Sequence, residues 1–168
     1  DDSQDVKPYL SFFGTGNPEY YGIHAAILPG FWDRNPPRIP EPLKPGVYCI
    51  SATLLQSLYS RFPGQWNEVY ENTYQQLAAK VRQFTSSSPE KRKQLMAAEG
   101  QTVWFTWFQT FEHARLARLA SFLRTREPDS EINYSILVYW LTAADLERAV
   151  DGPPVELVES ADFIKQSI

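Results

Sequence analysis

The segment YLSFFGTGNPEYYGI, Tyr9 to Ile23, joins an aromatic-rich apolar run to a cluster of turn residues. Tyr9, Leu10, Phe12 and Phe13 have the composition of a buried strand, and Gly14, Gly16 and Pro18 close it. A strand that empties into such a turn is the local sign of an α/β sheet, whose ligands sit beyond the carboxyl ends of its strands. A second unit of this kind follows: Val47, Tyr48, Cys49 and Ile50 read as a strand running into the hydroxyls of Ser51 and Thr53.

Between the two units, Pro36, Pro37, Pro40, Pro42 and Pro45 remove backbone donors and disfavour helix, so Pro29 to Pro45 is an extended surface loop. Leu54, Leu55 and Leu58 begin a short helix. Farther on, Trp66, Tyr70, Tyr74, Leu77, Val81 and Phe84 recur at helical spacing and share one face. Ser88 before Pro89 caps the next helix. After Gly100 an apolar stripe from Trp104 to about Arg124 has helical period, although its first half also fits a strand. Pro128 ends it, and Ile132 to Leu141 reads as a third, buried strand. A helix over Ala143 to Val150 with Thr142 as its cap follows, then a short edge strand at Val155 to Val158. These elements predict a single α/β domain over residues 1–168, with a small, mainly parallel sheet flanked by helices in three layers, α/β/α.

Composition bounds the function. The chain has 168 residues, 43% of them hydrophobic and 14% aromatic, enough for one core. Its formal charge is -4, and the one basic cluster is Lys91, Arg92 and Lys93, so nucleic acid is not an expected partner. Cys49 is the only cysteine, which excludes an internal disulfide. The uncharged stretch Tyr134 to Ala144 falls short of the ~20 residues a membrane-spanning helix needs. The start at Asp1, without Met or signal-peptide pattern, fits a piece cut from a longer protein.

The candidate site gathers at the two strand ends. Backbone N–H groups of Gly14, Thr15, Gly16 and Asn17, with the hydroxyls of Thr15, Ser51 and Thr53, are of a type that holds a phosphate or a sugar hydroxyl, while the same turn also reads as a tight turn and nothing more. It is not a dinucleotide fingerprint, because a third glycine is missing and Pro18 interrupts the helix start. Tyr20 and Tyr21, with Phe31 and Trp32, lie in loops and suit sugar stacking or docking at a lipid–water interface. His24 stands beside the first turn, whereas His113 reads as a helix residue; neither has metal-ligand spacing to other donors, so no metal or cofactor is expected. Glu19 and Glu127 are the acids nearest the strand ends, and the flanking Arg124 and Arg126 assign Glu127 a structural ion pair rather than an acid–base role.

Three blocks carry a family resemblance. Gly14, Thr15, Pro18, Tyr21, Gly22 and Ile23 match the first, and Gly46, Tyr48, Ile50, Ser51, Ala52, Thr53, Leu55 and Gln56 the second. Leu123, Arg124, Arg126, Glu127, Pro128, Ile132, Tyr134, Ser135, Ile136, Val138 and Tyr139 match the third, with Asn133 where the family pattern has glycine. Together they resemble the C-terminal soluble domain of polytopic membrane glycosyltransferases of the protein-mannosyltransferase and aminoarabinose-transferase type. The resemblance implies an accessory extracytoplasmic domain of a polyprenyl-phosphate-sugar-dependent enzyme, non-catalytic in isolation, that caps the active site or assists acceptor access. Its implied partners are the membrane-spanning part of the same protein and a lipid-linked sugar or acceptor. An independent carbohydrate- or phosphate-binding module is the competing expectation, and a hydrolase using Glu19 and Glu127 a third.

Overall fold

The computed structural model describes residues 7–14, 16, 18–30 and 38–157. Five strands form one sheet in the order β2-β1-β3-β5-β4, with β1 at Tyr9–Ser11, β2 at Ala26–Ile27, β3 at Gly46–Ser51, β4 at Ser130–Ile132 and β5 at Ile136–Leu141. Among the described residues the helices are α1 at Ala52–Leu55, α2 at Glu68–Thr85, α3 at Pro89–Glu99, α4 at Gln101–Leu123 and α5 at Ala143–Val150.

The α/β class is as expected, but the mainly parallel sheet is not. β1 pairs in parallel with β2 and β3, whereas β5 pairs antiparallel with both β3 and β4, which makes the sheet mixed. The cause is a reversal inside the segment read as one strand. Asn133 and Tyr134 both take left-handed backbone, with φ of 49 and 55, and the Ser135 N–H donates to the Ile132 carbonyl at 3.1 Å. Two left-handed central residues make a primed hairpin turn, so the chain doubles back and β5 runs against β3.

The layering also differs from α/β/α. Tyr9, Tyr48, Ile50, Leu137, Tyr139 and Leu141 share one sheet face and pack with Leu54 and Leu55 of α1, Leu119, Ala120 and Leu123 of α4, and Leu146 and Ala149 of α5. α2 and α3 then pack on the far side of α4 through a second cluster that includes Tyr74, Phe84, Trp104 and Phe108. Among the described residues the helices therefore cover one face, in the order sheet, α4 layer, α2 and α3. On the opposite face Trp140 is 64% exposed, and Val47 and Cys49 are half-buried.

The helices follow their sequence signals closely. Asn67 caps α2 by accepting from the Tyr70 N–H, and Ser88 caps α3 ahead of Pro89 at its first turn. Gly100, at φ 93, breaks the path between α3 and α4 in a conformation that a side chain rarely adopts. α4 is one unbroken helix, so the alternative of a strand in its first half is set aside. Thr142 caps α5 in a reciprocal capping box with Asp145. Residues 155–157 form a helical turn in place of the expected edge strand, and Val158 lies outside the described residues.

Buried arginines join these layers. Arg118 of α4 is 2% exposed; it donates to both Glu71 carboxylate oxygens, at 2.9 and 3.1 Å, and to the carbonyls of Ala149 and Gly152 at 2.6 Å. Glu71 also accepts from Trp66 Nε1 and Gln75 at 2.7 Å. Arg124 donates to Glu156 and to the Leu55 carbonyl, each at 2.7 Å, tying the end of α4 to the end of α1.

Candidate functional site

Because β1 and β3 are parallel neighbours with Ser11 opposite Ile50, the turn after β1 and the Ser51–Thr53 segment leave the sheet at the same end. The Ala52 N–H donates to the Ser135 carbonyl at 2.9 Å, which brings the β4–β5 hairpin turn to this end too. Gly14 and Gly16 lie here, while Thr15 and Asn17 fall outside the described residues, as do Phe31 and Trp32.

Ser51 is not available as a ligand group in the way expected. It is 5% exposed, and its hydroxyl accepts from the Leu54 N–H at 3.3 Å as the cap of α1; Thr53 is half-buried in that helix's first turn. The enclosed space nearby, bounded by Pro29, Leu54, Ser57, Tyr59 and His113, measures about 20 Å³. That is room for one water, not for a sugar phosphate.

The remaining candidates separate. Tyr20 and Tyr21 end a 3₁₀ turn, Pro18–Tyr21, and are 84% and 72% exposed, with the Tyr21 ring beside Gly16. His24 is exposed but precedes β2, whose Ala26 pairs with Tyr9 at the amino end of β1, so the fold carries it away from the carboxyl-end turn. Glu127 is exposed between α4 and β4, near Tyr139, whose hydroxyl burial pushes up and the Glu127 charge pushes further. Glu19 belongs to the β1–β2 connection at the other edge of the sheet. Three strand spacings, roughly 14 Å, separate β1 from β4, so the two acids belong to connections at different edges of the sheet. His113 is 8% exposed on α4, a buried residue. Burial pushes the Cys49 thiol up, the opposite of what a nucleophilic cysteine requires. Among the described residues no group of three or more His, Cys, Asp or Glu side chains is placed to hold a metal ion, and no helix is long and apolar enough to cross a membrane.

What this end of the sheet does present is an apolar rim. Phe13 is 42% exposed and stacks on Tyr59, which is 55% exposed, at 4.9 Å between centroids. Leu58 precedes Tyr59 and is 68% exposed; Ile132 and Tyr134, at the hairpin turn, are 52% and 87% exposed. Tyr134 is the most telling member, because a hairpin turn favours glycine at its second left-handed position, and a bulky side chain there carries ~1–2 kcal/mol of strain. Strain held at an exposed aromatic is a pointer to use rather than to folding.

The sequence points to Tyr20 and Tyr21 but not to Phe13, Leu58, Tyr59 and Tyr134 as surface residues, because Leu58 reads as helical and Tyr134 as part of a strand. The available signal was Asn133 inside a β-rich run, a residue that tolerates the left-handed backbone of a turn. No protein-family model, no curated protein and no solved structure matches this chain.

Proposed function

We propose that this chain is a non-catalytic accessory domain of a polyprenyl-phosphate-sugar-dependent membrane glycosyltransferase. It works on the extracytoplasmic face, docked through its carboxyl-end rim on the membrane-spanning part of the same protein, where it caps the active site or assists acceptor access. One observation supports this reading above the others: parts of all three segments that carry the resemblance converge at that end. The turn at Gly14 and Gly16, the Ser51–Thr53 segment and the Asn133–Ser135 turn meet there, with Ala52 hydrogen-bonded to Ser135, and the side chains around them are exposed and apolar. Aromatic side chains with a polar tip, such as Tyr59 and Tyr134, favour surfaces that are apolar on one side and wet on the other. The competing binding module is less well supported, since Ser51 is committed to its helix cap.

The test is sugar transfer by the full-length protein. Replacing Leu58 and Tyr134 together by Ser is expected to lower transfer from a polyprenyl-phosphate donor by about tenfold or more, as loss of exposed anchors does at other interfaces. The midpoint of thermal unfolding stays within a few degrees of the parent. Unchanged transfer, or a reading frame encoding no membrane spans, sinks the proposal.

A further inference from the structure

At the opposite, amino end of the sheet a cleft opens between α2, α4, α5 and the proline strap Pro40–Pro45 that leads into β3. Its volume is about 420 Å³, within the ~300–1,000 Å³ of small-molecule sites. The floor is apolar. Tyr74 and Phe111 stack on each other at 5.6 Å and 11°, and Ala78, Val81, Leu146 and Val150 complete it.

The polar groups of this cleft divide into the spent and the available. Arg115, 8% exposed, donates to the Glu112 carboxylate at 2.5 Å and to the Glu41 carbonyl at 2.6 Å, and lies over the Phe111 ring at 5.2 Å. The Tyr74 hydroxyl donates to the Val150 carbonyl at 3.0 Å. Both ring faces are covered as well, by each other and by Arg115 and Arg118, so a ligand meets ring edges and aliphatic carbon rather than an aromatic face. Among the described residues that line it, the mouth carries three exposed carboxylates, Glu41, Glu147 and Asp151, against one exposed cation, Arg82. With Arg115 neutralised by Glu112, the mouth is acidic. Asp151 acts on the floor itself: burial raises the Tyr74 hydroxyl first, and the Asp151 charge adds to that rise.

We propose that this cleft is a binding site for a small amphiphilic cation, an amine carried on an apolar body that fills the slot while the ammonium faces Glu147 and Asp151. The apolar body removes the floor from water, and the carboxylates select the sign of the head group. An anionic amphiphile of the same size meets the three carboxylates and finds only Arg82. The site is at the far end of the sheet from the docking rim, so its fate and that of the proposed function are independent.

Titration calorimetry of the chain with n-octylamine, octanoate and octanol tests the assignment. The expected result is saturable one-to-one binding of octylamine, with octanoate weaker by about tenfold or more. Glu147→Lys, at an exposed mouth position, weakens octylamine by roughly five- to tenfold and narrows the gap to octanoate. Ala143→Trp, also at the exposed mouth, abolishes binding by plugging it; should that variant fail to fold, the Glu147→Lys comparison still decides. Absence of saturable octylamine binding, equal binding of the three probes, or indifference to Glu147→Lys overturns the proposal.

Discussion

Arg118 shows how a charged residue can serve as core. Its guanidinium lies 5.1 Å from the Tyr74 ring centroid, and its donors reach Glu71 on α2 and two carbonyls around the end of α5. Burial alone raises the Glu71 carboxyl, but hydrogen bonds from Arg118, Gln75 and Trp66 outweigh it and hold that carboxyl below its ordinary value of 4.5. A carboxyl lowered in the folded state stabilises the fold fully above the unfolded value and loses that contribution as pH falls through the folded one. Glu71→Gln is therefore expected to cost about 3 kcal/mol at neutral pH and progressively less below about pH 4, as read by urea unfolding across pH. Tyr74 works in the opposite direction. Burial raises its hydroxyl to about 12, so its contribution is complete below pH 10 and fades as pH rises from there towards 12. Tyrosinate absorbance during alkaline titration should show Tyr48, Tyr74 and Tyr139, all raised by burial, delayed until the fold opens. Ionisation of all nine tyrosines in one step near pH 10, with the fold intact, contradicts this.

Among the elements, the β4–β5 hairpin carries the clearest tension between stability and use. The Asn133 position suits left-handed backbone, since its short polar side chain tolerates that region. Tyr134 has no such excuse. Tyr134→Gly is expected to raise stability by about 0.5–1 kcal/mol, the relieved strain less the entropy glycine loses on folding, as measured by chemical unfolding. The same change removes the most exposed ring of the rim, so under the proposed accessory role sugar transfer is expected to fall as stability rises. A loss of stability on this substitution shows instead that the ring serves the fold.

In the whole molecule, α4 is the shared wall of two cores. Its first half gives Trp104, Phe108 and Phe111 to the helical cluster, and its second half gives Leu119, Ala120 and Leu123 to the cluster under the sheet. A rigid helix common to both couples them, so the chain is expected to unfold in one transition. Phe108→Ala, at a fully buried site against Phe84 and Trp104, should cost about 3–5 kcal/mol and shift the near- and far-ultraviolet dichroism signals together. Two separated transitions in that variant show instead that the clusters fold independently.

Much of the molecule was legible in the chain alone because its signals are local. The period of Tyr74, Leu77, Val81 and Phe84, the cap at Ser88 before Pro89, and Thr142 ahead of Asp145 each involve residues within a few turns of one another, and each element formed where those signals stand. The strand cores at Tyr9–Ser11 and Gly46–Ser51 were legible for the same reason, while the common end at which they discharge Gly14 and Ser51 followed from their parallel pairing. Only the tertiary structure decided the direction of β5, the one-sided stacking of helices, the separation of His24 and Glu127 from the first turn, and the burial of Arg115 and Arg118. These depend on which distant segments pair. Arg118 is held in the core because Glu71, 47 residues earlier, and the Ala149 carbonyl, 31 residues later, are brought against it, since a charge is stable in a core only where its partners are already in place.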